Sequence, residues 1–144
     1  MIVISDSSAL IGLSAIGALD LLHQIYGTVV VPEAVYREVV VDGAGKPGAK
    51  DVADATWIDV RTVKNPPSVT RLMNFIGLDH GESEAIVLAQ EIGADLILLD
   101  DSKARRYALQ QRLSITGMVG VLLAAKQKGG LLRLFAPIST RSSP

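Results

Sequence analysis

The sequence has no cysteine, few aromatic residues and no long hydrophobic run, and each absence excludes a class of protein. Without cysteine among its 144 residues, the chain has no disulfides, no thiolate metal sites and no cysteine nucleophile. Aromatic residues make up 4% of the chain and hydrophobic residues 49%, so we expect an aliphatic core. No apolar run reaches the roughly 18 residues that span a bilayer. No basic leader opens the sequence, which predicts that there is no signal peptide and favours a cytoplasmic location.

Charge of one sign is lacking too. The formal net charge is −1, which gives no general attraction to polyanions. A nucleic-acid ligand would therefore need local basic patches, although a charge run of this kind is more often a solvated helix face. Two patches occur, the first formed by Lys103, Arg105, Arg106 and Arg112 and the second by Lys126 and Lys128.

Common motifs of nucleotide-binding proteins and serine hydrolases are also absent. The sequence contains no P-loop and no Gly-x-Gly-x-x-Gly fingerprint, which argues against those two kinds of phosphate site. Ser7 and Ser8 have no glycine elbow around them, so a serine hydrolase of that type is disfavoured. His23 and His80 are isolated, and neither belongs to a triad.

Short β-rich runs alternate with helical patterns, which predicts an α/β fold, a central parallel sheet of about four to five strands with crossover helices. The length fits a single domain, which we place at residues 1–138, with a frayed polar tail at 139–144. Residues 42–48 are rich in glycine and proline and predict a loop. The predicted strands are Ile2–Ser5, Thr28–Val31, Trp57–Val60, Leu96–Leu99 and Leu113–Ile115. The predicted helices are Ser7–Ile16, Ala18–Ile25, Ala34–Val41, Val69–Ile76, Gly81–Ile92, Ser102–Gln111 and Met118–Lys128, the last closed by Gly129-Gly130.

Carboxylates at the ends of apolar strands are the most informative feature. Asp6 directly follows the first predicted strand, and Asp100 and Asp101 follow the fourth. Because ligands of parallel α/β sheets bind beyond the carboxyl ends of the strands, neighbouring strands would bring these groups together. Carboxylates beside apolar runs are costly unless their charge is offset, and a hard cation such as Mg²⁺ or Mn²⁺ would offset it. The alternative for Asp6 is a helix cap, where Asp is favoured.

Two further glutamates open the fifth predicted helix. Glu82 and Glu84 are about 200° apart on a helix and cannot point the same way. Asp79 and Glu82 also fit a capping box, which gives Glu82 a structural role. Glu84 lies on the edge of the buried stripe, where a carboxylate needs a partner. We therefore favour Glu84 over Glu82 as the group that faces a metal. Glu38, in the third predicted helix, is ordinary when taken singly.

Taken together, these residues resemble the PIN-domain family, most closely a prokaryotic branch related to VapC-type toxins. The resemblance covers about residues 1–135, and its combined pattern is specific although each piece alone is weak. It rests on Asp6-Ser7-Ser8, the run from Val31-Pro32-Glu33 to Glu38, Gly81-Glu82-Ser83-Glu84-Ala85-Ile86-Val87-Leu88-Ala89, Leu98-Leu99-Asp100-Asp101, Ser102-Lys103-Ala104-Arg105-Arg106-Tyr107-Ala108 and the run from Thr116-Gly117-Met118 to Lys126.

The resemblance implies a three-layer α/β/α sandwich that uses Mg²⁺ or Mn²⁺ to cleave RNA. Asp6 matches the family's first acidic position, Glu38 the second and Glu84 best matches the third, while the fourth falls on Asp100 or Asp101. The resemblance further implies a homodimer and, for toxin members, a small antitoxin protein. One departure is the short polar end of the chain, where a further helix would be expected.

Three functions are weighed on this basis. In the first, a ribonuclease, the catalytic residues are Asp6, Glu38, Glu84 and Asp101, the metal ligands are Asp6, Glu84 and Asp100 or Asp101, and the substrate contacts are Ser7, Lys103, Arg105 and Arg106. The second is a PIN-like interaction module that binds a partner protein or RNA without cutting it. A phosphatase or phosphotransferase ranks last, because that chemistry commonly uses a second Asp two residues after the first, where this chain has Ser8.

Overall fold

The structure, a computed structural model, describes residues 1–128 of the chain. Five parallel strands form one central sheet in the order β3-β2-β1-β4-β5. Parallel neighbours require crossover connections, and helices supply them. The strands are β1 Val3–Ser5, β2 Val29–Pro32, β3 Ile58–Arg61, β4 Leu96–Leu98 and β5 Ile115–Thr116.

Helices cover both faces of the sheet. Two of them, α3 and α5, continue as π-helical segments, Arg37–Asp42 after α3 and Leu72–Ile76 after α5. The helices are α1 Ser7–Ala15, α2 Asp20–Tyr26, α3 Glu33–Tyr36, α4 Ala49–Asp54, α5 Pro66–Arg71, α6 His80–Ile92, α7 Ser102–Gln110 and α8 Met118–Gln127.

Alternate strand residues serve two separate hydrophobic cores. Val3 of β1 packs with α1, α2 and α8, whereas the next residue, Ile4, packs with α5, α6 and α7. In β4, Leu98 belongs to the first core and Ile97 to the second. Both faces of these strands are therefore buried, which explains why they read as continuous apolar runs. The architecture is the three-layer α/β/α sandwich expected from the sequence.

The register of β1 and β4 brings their carboxyl ends side by side. Ser5 pairs with Leu98, and the backbone N–H of Asp6 donates to the carbonyl of Leu98 over 3.0 Å. Asp6 and Asp100 therefore leave the sheet at the same edge. This pairing makes the edge between β1 and β4 the place where the predicted carboxylates meet.

Most of the sequence-based elements occur in the structure with bounds within two residues of those predicted. The fifth strand is Ile115–Thr116 and shares only Ile115 with the predicted Leu113–Ile115. The third helix begins at Glu33 and becomes π-helical at Arg37, and the helix predicted from Val69 begins earlier, with Pro66 in its first turn. α4 was not predicted, because this short helix directly follows the glycine- and proline-rich residues 42–48, which predict a loop. Gly129-Gly130 and the tail at 139–144 lie outside the described residues. Within residues 1–128 no single helix is long and apolar enough to cross a membrane, and α1 and α2 meet that length and composition only together, with a bend of 117° between them.

Candidate metal centre

Asp6 is the most deeply buried carboxylate at this edge, with 2% of its surface exposed. It caps α1, because Oδ1 accepts the N–H of Ala9 at 2.9 Å, and Oδ2 accepts the N–H of Asp100 at 3.3 Å. Burial raises the pKa of Asp6 to about 6; the two backbone hydrogen bonds lower it, and the charges of Asp100 and Asp79 raise it further. The cap considered from the sequence is real, and it leaves a buried carboxylate surrounded by like charges.

Asp100 and Asp101 are both exposed, and the structure anchors each one differently. Oδ1 of Asp100 accepts the N–H of Met118 at 3.1 Å, which ties it to the start of α8. Oδ2 of Asp101 accepts the N–H of Ala104 at 3.0 Å and caps α7. Among residues 1–128, each has one carboxylate oxygen that accepts no hydrogen bond from another residue, so the choice between them stays open.

Glu82 is a carboxylate of α6 that lies in the field of Asp6. Its pKa is raised to about 7, mainly by burial, with a lowering hydrogen bond from Asp79 and raising charges on Asp79, Asp101 and Asp6. Glu82 also completes the predicted capping box, accepting the N–H of Asp79 at 3.1 Å while Asp79 accepts the N–H of Glu82 at 2.7 Å. Asp6, Asp79, Glu82, Asp100 and Asp101 together form what we call the strand-end cluster.

Glu84 points to a different neighbour. Its Oε1 accepts the N–H of Ala34 at 2.9 Å, and its Oε2 lies 3.3 Å from Nε2 of His80. The partner that the sequence argument demanded for this half-buried carboxylate is thus the first turn of α3. The side chains of Glu82 and Glu84 leave α6 about 200° apart, so they contact different neighbours, and the preference for Glu84 as the metal-facing group stays a prediction.

Glu38 lies on the wall of a neighbouring acidic cavity of about 330 Å³. A Cβ placed on Gly81 would be 3.5 Å from Oε1 of Glu38 and 3.8 Å from Oδ1 of Asp79, so these two carboxylates flank Gly81. Asp79 therefore belongs to both acidic groups and joins them. The cavity is lined by Glu33, Ala34, Arg37, Glu38, Asp42, Asp79, His80, Gly81 and Glu84.

The predicted substrate contacts are placed unequally. Ser7 is 8% exposed in the first turn of α1, which leaves little of it open to a substrate. Arg105 donates from Nη1 to the carbonyl of Leu99 at 2.8 Å and so braces the end of β4. Lys103 and Arg106 are exposed on α7. These two remain available for phosphate contacts.

The side chains of the strand-end cluster are of the type that binds a hard divalent cation, but they are not close enough together to coordinate one as they stand. Among residues 1–128, no three His, Asp or Glu side chains converge closely enough to hold a metal as they stand. The available donors are carboxylate oxygens, which Mg²⁺ and Mn²⁺ prefer. Asp6 is a buried carboxylate beside like charges, and a cation would offset the cost of its ionised form. By donor type and charge, the strand-end cluster fits a divalent metal.

Comparison with known proteins gives the same fold. A family model described as a PIN domain (DUF3368) matches residues 2–138. A solved PilT N-terminus domain protein from the hyperthermophilic archaeon Sulfolobus solfataricus P2 superimposes with a TM-score of 0.63 at 21% identity, covering 87% of this chain and 93% of that one. At this identity the likeness shows the fold alone. The search of curated proteins gave no significant match.

The parallel sheet with carboxylates at its carboxyl edge and the match to the solved structure are those of a PIN-like α/β/α protein. The chain belongs to the PIN-domain family, whose family model covers nearly all of it. Members of this family are commonly nucleases and typically use divalent metals.

Asp79 and Glu82 lie beside Asp6 or Asp101, but their sequence pattern was interpreted only as a helix cap. Asp79 and Glu82 fit a capping box, and the box is present, but both carboxylates also lie in the field of Asp6 or Asp101. Because the start of α6 faces the carboxyl edge of the sheet, residues that cap this helix also lie next to the strand-end carboxylates. The spacing of Asp79 and Glu82 together with the placement of α6 against β1 would have revealed this, and the spacing alone could not.

Proposed function

We propose that the protein is a divalent-metal-dependent ribonuclease that acts at the strand-end cluster. The observation that carries this proposal is the burial of Asp6 at the end of β1, with its pKa raised and like charges on Asp79 and Asp100 around it. A carboxylate in such surroundings is costly unless a cation joins it. The family, whose members are commonly nucleases, supplies the class of reaction.

Each carboxylate of the site has a distinct role in this proposal. Asp6, Glu82 and Asp100 or Asp101 would hold the metal. When bound, a divalent metal lowers the pKa of a coordinated water and neutralises charge on the phosphate. Glu38, across Gly81 from Asp79, accepts the proton of the attacking water. Glu84 acts as a positioning residue, because its bond to the Ala34 N–H fixes the first turn of α3 and hence the helix that carries Glu38.

Two exposed cations flank the cluster on the α7 side. Lys103 and Arg106 lie within the first two turns of the helix that Asp101 caps. Contacts to phosphates position a nucleic acid without reading its sequence. We therefore assign to these two side chains the phosphates next to the cleaved bond.

The test is cleavage of a fluorogenic single-stranded RNA with Mn²⁺, comparing the wild type with Asp6→Asn. We expect roughly a 100-fold or larger loss, because the variant keeps the shape of the side chain and removes the charge. Asp59→Asn, a substitution of an exposed carboxylate on β3 that bonds Arg61, is the matched control and should cleave like the wild type. Equal cleavage by wild type and Asp6→Asn would refute the proposal and would point to a contaminating nuclease.

A second candidate is a PIN-like module that binds a partner without cutting. This function is favoured because Asp6, Glu82 and Asp101 take part in capping helices, which explains these carboxylates without a metal. On this account the acidic cavity would receive a small antitoxin, and the protein could act as a homodimer in the cytoplasm. Calorimetric titration separates the two functions: Mn²⁺ binding that Asp6→Asn abolishes favours the enzyme, and no binding at millimolar Mn²⁺ favours the module.

A further inference from the structure

A groove of about 290 Å³ lies between α7 and the π-helical segment that follows α5. One wall is a stripe along α7, since positions 103, 106, 107 and 110 follow the i, i+3, i+4, i+7 spacing of a single helix face. The other wall comes from the end of the π-helical segment. The α7 groove, as we call it, is lined by Phe75, Ile76, Lys103, Arg106, Tyr107 and Gln110.

Phe75 is the unusual member of the α7 groove, with 81% of its surface exposed. Single exposed apolar residues are common and need no explanation on their own. Here, however, the ring shares a groove with Lys103, Arg106 and the half-buried ring of Tyr107. Nζ of Lys103 lies 3.3 Å from the Cβ position of Gly77, two residues after Phe75, so the cation lies against the segment that carries the ring.

The chemistry of the α7 groove is that of a surface for single-stranded nucleic acid. Proteins that bind single strands combine cations along the backbone path with aromatic rings on which bases stack. None of the six lining residues is acidic, in contrast to the acidic cavity. The groove also starts next to the proposed active site, because Lys103 lies two residues after Asp101, the cap of α7.

We propose that the α7 groove binds the single-stranded segment of RNA that flanks the cleaved bond. Its bases stack on Phe75 and Tyr107, and its phosphates contact Lys103 and Arg106. This proposal rests on the proposed ribonuclease function and adds the surface that holds the strand next to the cleaved bond. The strand must be unpaired there, since bases held inside a duplex present no free face to the rings. A second copy of the chain is the competing occupant, and it would place the two cations of one copy against those of the other.

The experiment measures binding without cleavage, using fluorescence anisotropy of a labelled eight-nucleotide single-stranded RNA in EDTA. Phe75→Leu keeps an apolar surface and removes the stacking ring, and it should weaken binding roughly fivefold or more. Phe75→Trp restores a larger ring and should bind at least as tightly as the wild type. Leu109→Ala, which changes a residue that is 59% exposed on α7 outside the groove, is the matched control and should leave the affinity unchanged.

Salt dependence tests the two cations separately. For single strands the logarithm of the affinity falls with the logarithm of salt by about 0.7 per phosphate contact. The double variant Lys103→Ala, Arg106→Ala should therefore reduce the slope by about 1.4, whereas Lys126→Ala, Lys128→Ala should not change it. Thermal melts of every variant verify folding, because Phe75, Lys103 and Arg106 are exposed and their replacement should not shift the melting temperature.

Three results would overturn the proposal. One is wild-type affinity in Phe75→Leu, and another is equal affinity for a duplex of the same sequence. The third is a dimer by light scattering that Phe75→Ala dissociates and Phe75→Leu preserves, which would assign the groove to a second copy. Failure of the ribonuclease function is distinguishable: a wild type that binds RNA through Phe75 in EDTA and cleaves nothing with Mn²⁺ refutes the function and leaves the groove intact.

Discussion

The strand-end cluster and the acidic cavity are both formed mainly by carboxylates, but the carboxylates differ in burial and in the number of backbone hydrogen bonds that fix them. In the strand-end cluster, Asp6 is buried and receives two backbone N–H groups. In the acidic cavity, Glu38 is exposed and follows the change from α-helix to π-helix at Arg37. π-helical turns in α-helices often occur at functional sites. The difference suggests a fixed half that binds the metal and an adjustable half that meets the substrate.

The largest expected effect separates the two glutamates of α6. Glu82→Gln should weaken Mn²⁺ binding roughly tenfold or more, because it removes a charge in the field of Asp6 while a Gln can still complete the capping box. Glu84→Gln should cost less than about threefold, since Glu84 is bonded to Ala34 instead. Calorimetric titration of both variants at pH 7.5 checks this. A larger loss in Glu84→Gln than in Glu82→Gln would indicate that the metal binds beside Glu84, in the acidic cavity.

Gly117 tests how firmly Asp100 is held in the strand-end cluster. A Cβ at this position would overlap Oδ1 of Asp100 and lie 3.1 Å from Nη1 of Arg105. Gly117→Ala should therefore lower the free energy of unfolding by about 1–3 kcal/mol through overpacking, measured by urea denaturation. In the background of Asp100→Ala, the same substitution should cost much less. An unchanged cost in that background would show that Arg105 or the backbone, and not Asp100, opposes the methyl group.

The pH dependence of stability tests whether the carboxylates of the strand-end cluster are costly to ionise in the folded protein. The pKa of Asp6 is raised to about 6 and that of Glu82 to about 7, so between about pH 4 and 7 the folded state binds more protons than the unfolded state. Their stabilising contribution is full at low pH and is lost as pH rises through the folded pKa values. From pH 5 to 8 in metal-free buffer, Asp6 should account for a loss of about 1–2 kcal/mol.

Chemical denaturation across this range, repeated with Asp6→Asn, provides the check. The variant should have a flatter profile than the wild type, because its amide does not ionise; its absolute stability also carries the loss of one of the two backbone hydrogen bonds that Asp6 accepts. Added Mn²⁺ should recover stability in the wild type at pH 8 and have little effect in the variant. A wild type that becomes more stable as pH rises from 5 to 8 without metal would contradict the electrostatic picture of the cluster.

The smallest effect concerns Ser83, which lies between the two glutamates on α6. Its hydroxyl is fully buried and, among residues 1–128, has no hydrogen-bond partner. Removing an unsatisfied buried hydroxyl should be neutral or stabilising, by up to about 1 kcal/mol. Urea denaturation of Ser83→Ala measures this, with Ser102→Ala, at an exposed position in α7, as the control. A loss of more than about 1 kcal/mol would mean that the hydroxyl has an unseen partner.

The fold was predictable because apolar strands and amphipathic helices alternate in order. Val3-Ile4 and Ile97-Leu98-Leu99 are buried on both faces, and that is why their sequences are continuously apolar. α4 could not be predicted, since a six-residue helix after a glycine-rich loop has too little periodicity to be recognised. The π-helical segment after Tyr36 was missed as well, because its sequence, Arg37–Asp42, has no feature that separates it from an α-helix.

The site was predictable where a strand places the residue and less so where a helix does. Asp6, Asp100 and Asp101 follow directly from the ends of β1 and β4, and the structure puts them at one edge. The choice between Glu82 and Glu84 depends on which side of α6 faces β1 and which faces α3. That is decided by tertiary packing, so spacing in the sequence could not predict the hydrogen bond between Glu84 and Ala34, and the choice of the glutamate that faces a metal stays a prediction.

The capping box of α6 has a consequence for observing the site in solution. Glu82 accepts the N–H of Asp79 through Oε1, so the same carboxylate closes the helix start and belongs to the strand-end cluster. A ligand that draws Glu82 away frees that amide to exchange its hydrogen with water. Because Asp79 also borders the acidic cavity, hydrogen–deuterium exchange at this one amide would report occupancy of both halves of the site without any substitution in the protein.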